Sequence, residues 1–222
     1  MSIISTKLDI KVGDEILLLC KAGAEGDITW QRDGEEIDDE EIVNKLDEAS
    51  SKLVIKKATM QDAGRYTCHC DFESGHKDDA QIQLFVYDGP SFGSTKTYHE
   101  FLEGTDGLVP CLVTGQPQVD FLVNFFCLSS LASVGGHMRK QSDNTLRIEK
   151  VKREDAGTYV CRAQIRGRPS IFMERSVSVV VNAPPTVRLR EEVKKVLAGP
   201  ETNVSLLCLV DGLPQPNITW TM

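Results

Sequence analysis

Two short stretches of the chain share one pattern and decide the fold. Residues 62–68 read DAGRYTC and residues 155–161 read DAGTYVC, so both follow Asp-Ala-Gly-x-Tyr-x-Cys. Each has an earlier cysteine about fifty residues upstream, Cys20 for the first copy and Cys111 for the second. Ten residues after Cys20 comes Trp30. The repetition of pattern and spacing predicts two domains of one kind.

This arrangement is typical of an immunoglobulin sandwich, with a cysteine on strand B, a core tryptophan on strand C and Tyr-x-Cys on strand F. The tyrosine hydroxyl is expected to bond back to the turn before strand F, where glycine relieves the backbone. We therefore predict an all-β chain of tandem immunoglobulin-like β-sandwiches of the I-set type. The expected disulfides are Cys20–Cys68 and Cys111–Cys161.

Length predicts the domain boundaries. At about 100 residues per sandwich, the 222 residues give domains at 1–88 and 89–182 and a remainder at 183–222. The remainder restarts the pattern with Cys208 and Trp220 but has no second cysteine, so we expect a truncated third domain and a chain that is a fragment. The chain has no apolar run of 18 residues and no secretory signal, so any signal or anchor is expected outside it.

The third segment and the join before it give two local expectations. Pro184-Pro185 is expected to end the last strand of domain two, because proline cannot donate to a β ladder. Alternation from Cys208 predicts that Val204 and Leu206 face inward.

Charge is unevenly distributed along the chain. Residues 1–88 hold 20 Asp and Glu against 10 Lys and Arg, whereas residues 89–182 hold 9 against 11. The acidic first domain argues against nucleic acid as a partner, because nucleic-acid binding needs a basic surface. Solubility is the plainer explanation of this charge.

Side-chain alternation predicts one apolar surface on domain one. If Cys20 and Leu53 point inward, their sequence neighbours on strands B and E point outward. The outward residues form the expected adhesion face, which consists of Leu17, Leu19, Val54 and Lys56. Clustered apolar side chains on one sheet face can mark an interaction site. The alternative is that domain two folds back over this face within the same chain.

Residues 120–140 of domain two depart from the pattern. A core tryptophan is due near residues 121–123, but the chain reads FLVNFFCL from Phe121 and stays apolar to Val134. Phe121 and Val123 are the candidates for the tryptophan position. The alternative is an error in the gene model.

Two short motifs match the sequence patterns of a catalytic and a metal-binding site but lack the surrounding residues that such sites need. Residues 89–93 match the Gly-x-Ser-x-Gly nucleophile elbow, but a proline precedes the serine and no helix pattern follows. Cys68-His69-Cys70 has cysteines too close for a usual zinc site and no further ligands nearby. Cys70 is therefore expected to be a small buried apolar residue. The sequence thus predicts no enzyme activity, no metal and no cofactor.

Cysteine usage favours an oxidising, extracellular compartment, because both complete domains keep both bridge cysteines. Cys70 and Cys127 remain without assigned partners, and Cys208 lacks a partner in this chain. Asn203 and Asn217 each begin an N-glycosylation sequon.

Beyond these general motifs, the chain resembles the neural cell adhesion molecule family. The resemblance rests on Val12-Gly13-Asp14, the two Asp-Ala-Gly-x-Tyr-x-Cys motifs, residues 101–104 (FLEG), the join at residues 180–185 (VVNAPP) and residues 211–216 (DGLPQP). It covers the chain except for about residues 120–140. The join is the more specific part, because the other motifs occur throughout immunoglobulin domains.

The resemblance implies a neuronal cell-surface glycoprotein on the extracellular side of the membrane. Its first domains would mediate homophilic adhesion, and domain two would bind heparin-type glycosaminoglycans. The family's aromatic docking positions correspond to Leu17 and Lys56, and neither residue is aromatic. The expected heparin-binding residues are Arg139, Lys140, Arg166 and Arg168. The alternatives are the ectodomain of a signalling receptor that binds a protein ligand and an intracellular scaffold.

Overall fold

The computed structural model describes most of the chain. The described ranges are residues 1–117, 121–127, 136–190, 193–197, 199–200 and 202–221, with 121–127 described as backbone only. The chain divides into two compact units. The first comprises Met1–Ser91 and Thr114–Asp120, and the second comprises Phe92–Val113 and Phe121–Met222.

The regular structure is almost entirely β, as the sequence predicts. In chain order the strands are β1 (Ser2–Ser5), β2 (Asp9–Lys11), β3 (Ile16–Lys21), β4 (Gly26–Arg32), β5 (Glu35–Ile37), β6 (Val43–Asp47), β7 (Ser50–Ile55), β8 (Gly64–Phe72), β9 (Lys77–Ser91), β10 (Tyr98–Leu102), β11 (Gly107–Pro110), β12 (Thr114–Gln116), β13 (Phe121–Cys127), β14 (Met138–Lys140), β15 (Thr145–Ile148), β16 (Gly157–Ile165), β17 (Arg168–Leu189) and β18 (Cys208–Leu213). Single turns of 3₁₀ helix lie at Met60–Asp62 and Arg153–Asp155. Within the described ranges, no helix has the length and hydropathy needed to cross a membrane.

Two sheets face each other in the first unit. One has the order β1-β3-β7-β6, and the other has the order β12-β9-β8-β4-β5 with β2 parallel to β9. Between them the Cys20–Cys68 disulfide lies beside fully buried Trp30. The indole Nε1 of Trp30 donates to the hydroxyl of Ser51 at 3.0 Å, so the one polar atom of the ring is satisfied inside the core.

The first strand differs from the sequence expectation. The sequence suggests strand A and its turn at residues 8–14, whereas in the structure β1 pairs with β3 and β2 pairs with β9 in the other sheet. Leu8, between them, is exposed. The chain therefore crosses from one sheet to the other here, and both sheets gain an edge strand.

The second unit repeats the sandwich. Its sheets have the orders β11-β15-β14 and β10-β17-β16-β13, and the Cys111–Cys161 disulfide lies in its core. In register, Phe125 stands opposite Cys161, as Trp30 stands opposite Cys68 in the first unit. The backbone therefore aligns Phe125 with the tryptophan position, not Phe121 or Val123. β13 begins ten residues after Cys111, whereas β4 begins six residues after Cys20, so the equivalent position lies four residues further along the chain.

The tyrosine corners occur as expected. The hydroxyl of Tyr66 donates to the carbonyl of Asp62 at 2.9 Å, and that of Tyr159 donates to the carbonyl of Asp155 at 2.8 Å. Gly64 has φ of +148°, and a Cβ there would approach the Asp33 carboxylate to 2.4 Å. Only glycine fits this position without a shift.

The join to the third segment differs from the expectation. β17 does not end at Pro184-Pro185 but continues to Leu189. Its last part, from Ala183 to Leu189, pairs with β18. The register shifts between Ala183 and Thr186, so the prolines lie at the irregularity, where no ladder donor is needed.

The expected inward side chains of the third segment also differ. Val204 is 45% exposed and Leu206 60%, so the inward expectation is wrong for both. They lie outside any strand, and no second sheet covers them among the described residues of this segment.

Candidate functional site

The outward face of the β1-β3-β7-β6 sheet contains the expected adhesion residues. β3 alternates strictly, because Ile16, Leu18 and Cys20 are fully buried whereas Leu17 and Leu19 are only half-buried. On β7, Leu53 is fully buried and Val54 is half-buried. Leu17, Leu19 and Val54 therefore leave the sheet on the side opposite the core.

Strand register brings these side chains together. Leu17 stands directly opposite Val54, and Leu19 stands opposite Ile4 on β1. Directly opposed residues on one face have Cβ atoms about 5 Å apart, within contact range of branched aliphatic side chains. We call Ile4, Leu17, Leu19 and Val54 the apolar strip.

Sequence reasoning missed Ile4, the most exposed member of the strip at 51%. The sequence suggests strand A and its turn at residues 8–14, so no strand is expected at Ser2–Ser5. The signal was present in Ile3-Ile4, two β-branched residues of high strand propensity between serines. Ile3 packs against the core, so alternation places Ile4 on the outer face.

Lysines border the apolar strip. Lys52 on β7 is opposite Leu19, and Lys21 ends β3 on the same outer face. Lys56 is exposed and follows the end of β7, so it lies beside the strip instead of within it. The acidic run at residues 38–41 lies between β5 and β6, and the next residue, Ile42, accepts a hydrogen bond from the amide of Val54 at 2.8 Å, so this run lies next to the strip in sequence and in space. The strip is thus apolar at its centre, with lysines along one part of its margin and the acidic run at another.

The expected heparin-binding residues belong to different sheets. Arg139 and Lys140 are exposed on β14, in the β11-β15-β14 sheet. Arg166 is exposed in the turn between β16 and β17, and half-buried Arg168 begins β17 in the other sheet. The four residues therefore lie as one pair on β14 and a second pair at the β16–β17 turn. Arg139 also stands opposite Arg147, which is occupied by an ion pair with Asp106 at 2.9 Å.

The remaining cysteines have distinct surroundings. Cys68 is in a disulfide, so Cys68-His69-Cys70 has no thiolate pair to offer a metal. Cys70 is fully buried, and burial raises the pKa of its thiol. Cys208 is half-buried and free. The side chain of Cys127 lies outside the described residues.

The other sequence candidates are placed as follows. Ser91 of the Gly-x-Ser-x-Gly match ends β9, and the next residue, Phe92, is buried in the core of the second unit. Asn203 and Asn217 are both exposed, as N-glycosylation requires.

The chain matches the family profile described as immunoglobulin I-set domain at residues 1–86 and 90–168. It is 28% identical to neural cell adhesion molecule 1 of Rattus norvegicus over 228 residues, which cover 100% of this chain and 26% of that protein. It is 30% identical to roundabout homolog 2 of Homo sapiens over 219 residues, which cover 97% of this chain and 15% of that protein. The chain thus spans about a quarter of its rat relative.

A solved structure shows the same fold. The N-terminal eight immunoglobulin domains of Down syndrome cell adhesion molecule, isoform 1.30.30, superpose with a TM-score of 0.64 at 21% identity, over 82% of this chain and 24% of that one. The predicted resemblance to the neural cell adhesion molecule family is confirmed. Neural cell adhesion molecule 1 is named for adhesion and not for a reaction, in agreement with the expectation of a non-enzyme.

Proposed function

We propose, from the fact that the chain belongs to the immunoglobulin I-set domain family, that it is part of a cell-surface adhesion glycoprotein. It would act on the extracellular side of the cell membrane and bind a protein partner through its first sandwich. The observation that supports this function best is the apolar strip, because a solvent-facing sheet surface normally alternates to polar residues.

The chemistry of the strip favours a protein partner. Fully burying one aliphatic side chain contributes about 1.5–3 kcal/mol, and the four residues of the strip are each only partly covered within this unit. A flat row of branched side chains suits another protein surface better than a small molecule, which needs a concave pocket. The lysine margin would favour a partner that presents carboxylates.

We propose a second copy of the chain as that partner. The first domain holds 20 Asp and Glu against 10 Lys and Arg, so another copy offers carboxylates to the lysine margin. The mode would not use aromatic anchors, because Leu17 and Lys56 occupy the positions where the family resemblance implies aromatic residues.

Aggregation of beads that carry the chain tests this proposal. Leu17→Asp combined with Val54→Asp should abolish aggregation, because two carboxylates would be desolvated on binding. The fold should persist, since neither side chain points into the core. The matched control is Thr29→Asp with Gln81→Asp, which adds the same charge at two exposed positions of the opposite sheet. Normal aggregation by the strip variant, or loss in the control alone, would refute the strip as the adhesive surface.

The alternative, a receptor ectodomain with a different protein ligand, predicts a different result in the same assay. Beads carrying only this chain would then not aggregate, whereas they would bind cells that display the ligand. The strip variant would lose that cell binding if the ligand uses the same surface.

Heparan sulfate is a second candidate partner, supported by the basic balance of domain two. Because the basic residues form two pairs, the Arg139→Ala, Lys140→Ala variant and the Arg166→Ala, Arg168→Ala variant should differ in heparin retention. Substitution of the pair that binds heparin should lower the salt concentration at which the chain elutes. The reason is that salt screens the contacts between basic side chains and sulfate groups. Equal retention of both variants and the parent chain would exclude this partner.

A further inference from the structure

The second unit contains a close joint between its sandwich and the third segment. We propose that Arg153 locks this joint, so that the second sandwich and the third segment move as one rigid body. The geometry that points to this role is a guanidinium that binds one carboxylate on each side of the joint.

Arg153 begins the 3₁₀ turn before β16, inside the second sandwich. Its Nε donates to Glu103 at 3.0 Å, in the turn that follows β10 of the same sandwich. Its Nη1 and Nη2 donate to the two oxygens of Asp211 on β18, at 2.7 and 2.5 Å. A bidentate guanidinium–carboxylate pair fixes orientation as well as distance.

The backbone beneath this contact is continuous. β17 runs without a break from Arg168 to Leu189 and pairs with strands of both parts. At the joint itself, the backbone carbonyl of Asn182 accepts from the amide of Glu103 at 2.8 Å. The same loop that positions Glu103 for Arg153 is therefore attached to the strand that crosses the joint.

Packing at the joint leaves little room for a second arrangement. Ala183 is 5% exposed, and Gly212 on β18 is buried. A Cβ on Gly212 would meet the ring of Pro216 at 2.9 Å and the backbone of Pro185 at 3.0 Å. The contact surface thus requires glycine, and a larger side chain would push β18 away from β17.

The charges reinforce the geometry. The hydrogen bond and charge of Arg153 hold the pKa of Asp211 below its ordinary value. Asp211 therefore stays ionised over the whole neutral and weakly acidic range. An isolated exposed ion pair contributes little to stability, but one cation shared between two carboxylates in fixed geometry restricts motion more than a single pair does.

Distance measurement between two spin labels tests the lock in the full chain. Labels at Ser170→Cys in the sandwich and Thr202→Cys in the third segment would report on both sides of the joint, with Cys70, Cys127 and Cys208 replaced by serine. We expect one narrow distance distribution for the parent chain. Arg153→Ala should broaden it at least twofold, and Asp211→Asn should do the same.

The matched control is Arg147→Ala. Arg147 also pairs with an acidic residue, Asp106, at 2.9 Å, but both lie inside the second sandwich. This variant should leave the distribution unchanged. A distribution that stays narrow in Arg153→Ala would overturn the proposal, and so would equal broadening in Arg147→Ala. Gly212→Val supplies an independent check, because it should shift the mean distance even with Arg153 in place.

Discussion

The first and second sandwiches form the same corner before their Tyr-x-Cys strand but satisfy its aspartate differently. Asp62 accepts from the amide and hydroxyl of Thr59, and Arg32 lies 3.2 Å away. Asp155 accepts from the amide of Lys152, and its carboxylate lies 3.0 Å from Nε2 of His137. The Asp62 side chain is 15% exposed, whereas that of Asp155 is 3% exposed. Within the described part of the chain, the second corner therefore buries its carboxylate more deeply with fewer donors.

This difference shows that a shared motif fixes a backbone arrangement but not the side chains that complete it. Arg32 lies on β4, 30 residues before Asp62. His137 lies just before β14, 18 residues before Asp155. Both partners come from outside the repeated seven residues. We therefore expect substitutions that affect the shared backbone arrangement to lower the stability of the two sandwiches equally. Substitutions of the side chain that binds the corner aspartate should lower it unequally.

Removal of the disulfides should give the largest effect, equal in both sandwiches. The bridges close loops of 48 and 50 residues, so replacing either pair by alanine should cost about 4 kcal/mol through the unfolded chain. Urea unfolding followed by Trp30 fluorescence in a Trp220→Phe background reports on the first sandwich, and amide exchange of β16 reports on the second. Costs that differed by more than about 2 kcal/mol would contradict the equivalence.

The partners of the two aspartates should give the next largest effect. His137→Ala leaves the buried Asp155 carboxylate with one fewer donor and should cost about 2 kcal/mol of unfolding free energy. Arg32→Ala should cost less, about 1 kcal/mol, because Asp62 keeps both Thr59 donors and reaches water. His137→Gln, which keeps an N–H donor, is the control and should recover part of the loss. A larger cost for Arg32→Ala would reverse the comparison.

The corner hydroxyls should matter less and nearly equally. Tyr66→Phe and Tyr159→Phe each remove one hydrogen bond to a backbone carbonyl and should cost about 1 kcal/mol. Chemical denaturation of each variant against the parent chain measures this directly. A cost near zero in one sandwich would show that water replaces the tyrosine there.

Much of the fold follows from the sequence because its determinants are local. The Asp-Ala-Gly-x-Tyr-x-Cys repeat, the cysteine spacing and the alternation around Cys20 predict both bridges, both corners and the outward direction of Leu17, Leu19 and Val54. Ile4 was missed because β1 is only four residues long and the sequence suggests strand A at residues 8–14 instead. The continuation of β17 through Pro184-Pro185 was missed because it depends on pairing with β18, which local proline chemistry does not reveal.

The smallest expected effect is a pH dependence found in the second unit. Burial, together with the positive charge of Lys96, lowers the pKa of His99 below its ordinary value of 6.5, and its ring stacks on Phe101. At a pH near its pKa, His99 is therefore protonated more often in the unfolded chain than in the folded chain. The contribution of neutral His99 to stability is complete above about pH 6.5 and is lost as the pH falls below that value.

Amide exchange of β17 between pH 7 and pH 5, corrected for intrinsic exchange rates, checks this sign. The free energy of local opening in the second unit should decrease as the pH is lowered from 7 to 5. This decrease should be less steep in His99→Phe, which keeps the ring stacking but has no group that titrates. An identical slope in the two proteins would exclude His99 as the source.

Self-association through the apolar strip is the central claim, and methyl NMR tests it most directly. In a chain with labelled Leu, Val and Ile methyl groups, raising the protein concentration should shift or broaden Ile4, Leu17, Leu19 and Val54. Buried Leu53, on the inner face of the same sheet, and exposed Leu108, in the second unit, serve as internal references. We expect changes concentrated on the four strip residues. Strip resonances that stay constant at every concentration, or changes confined to other surfaces, would contradict it.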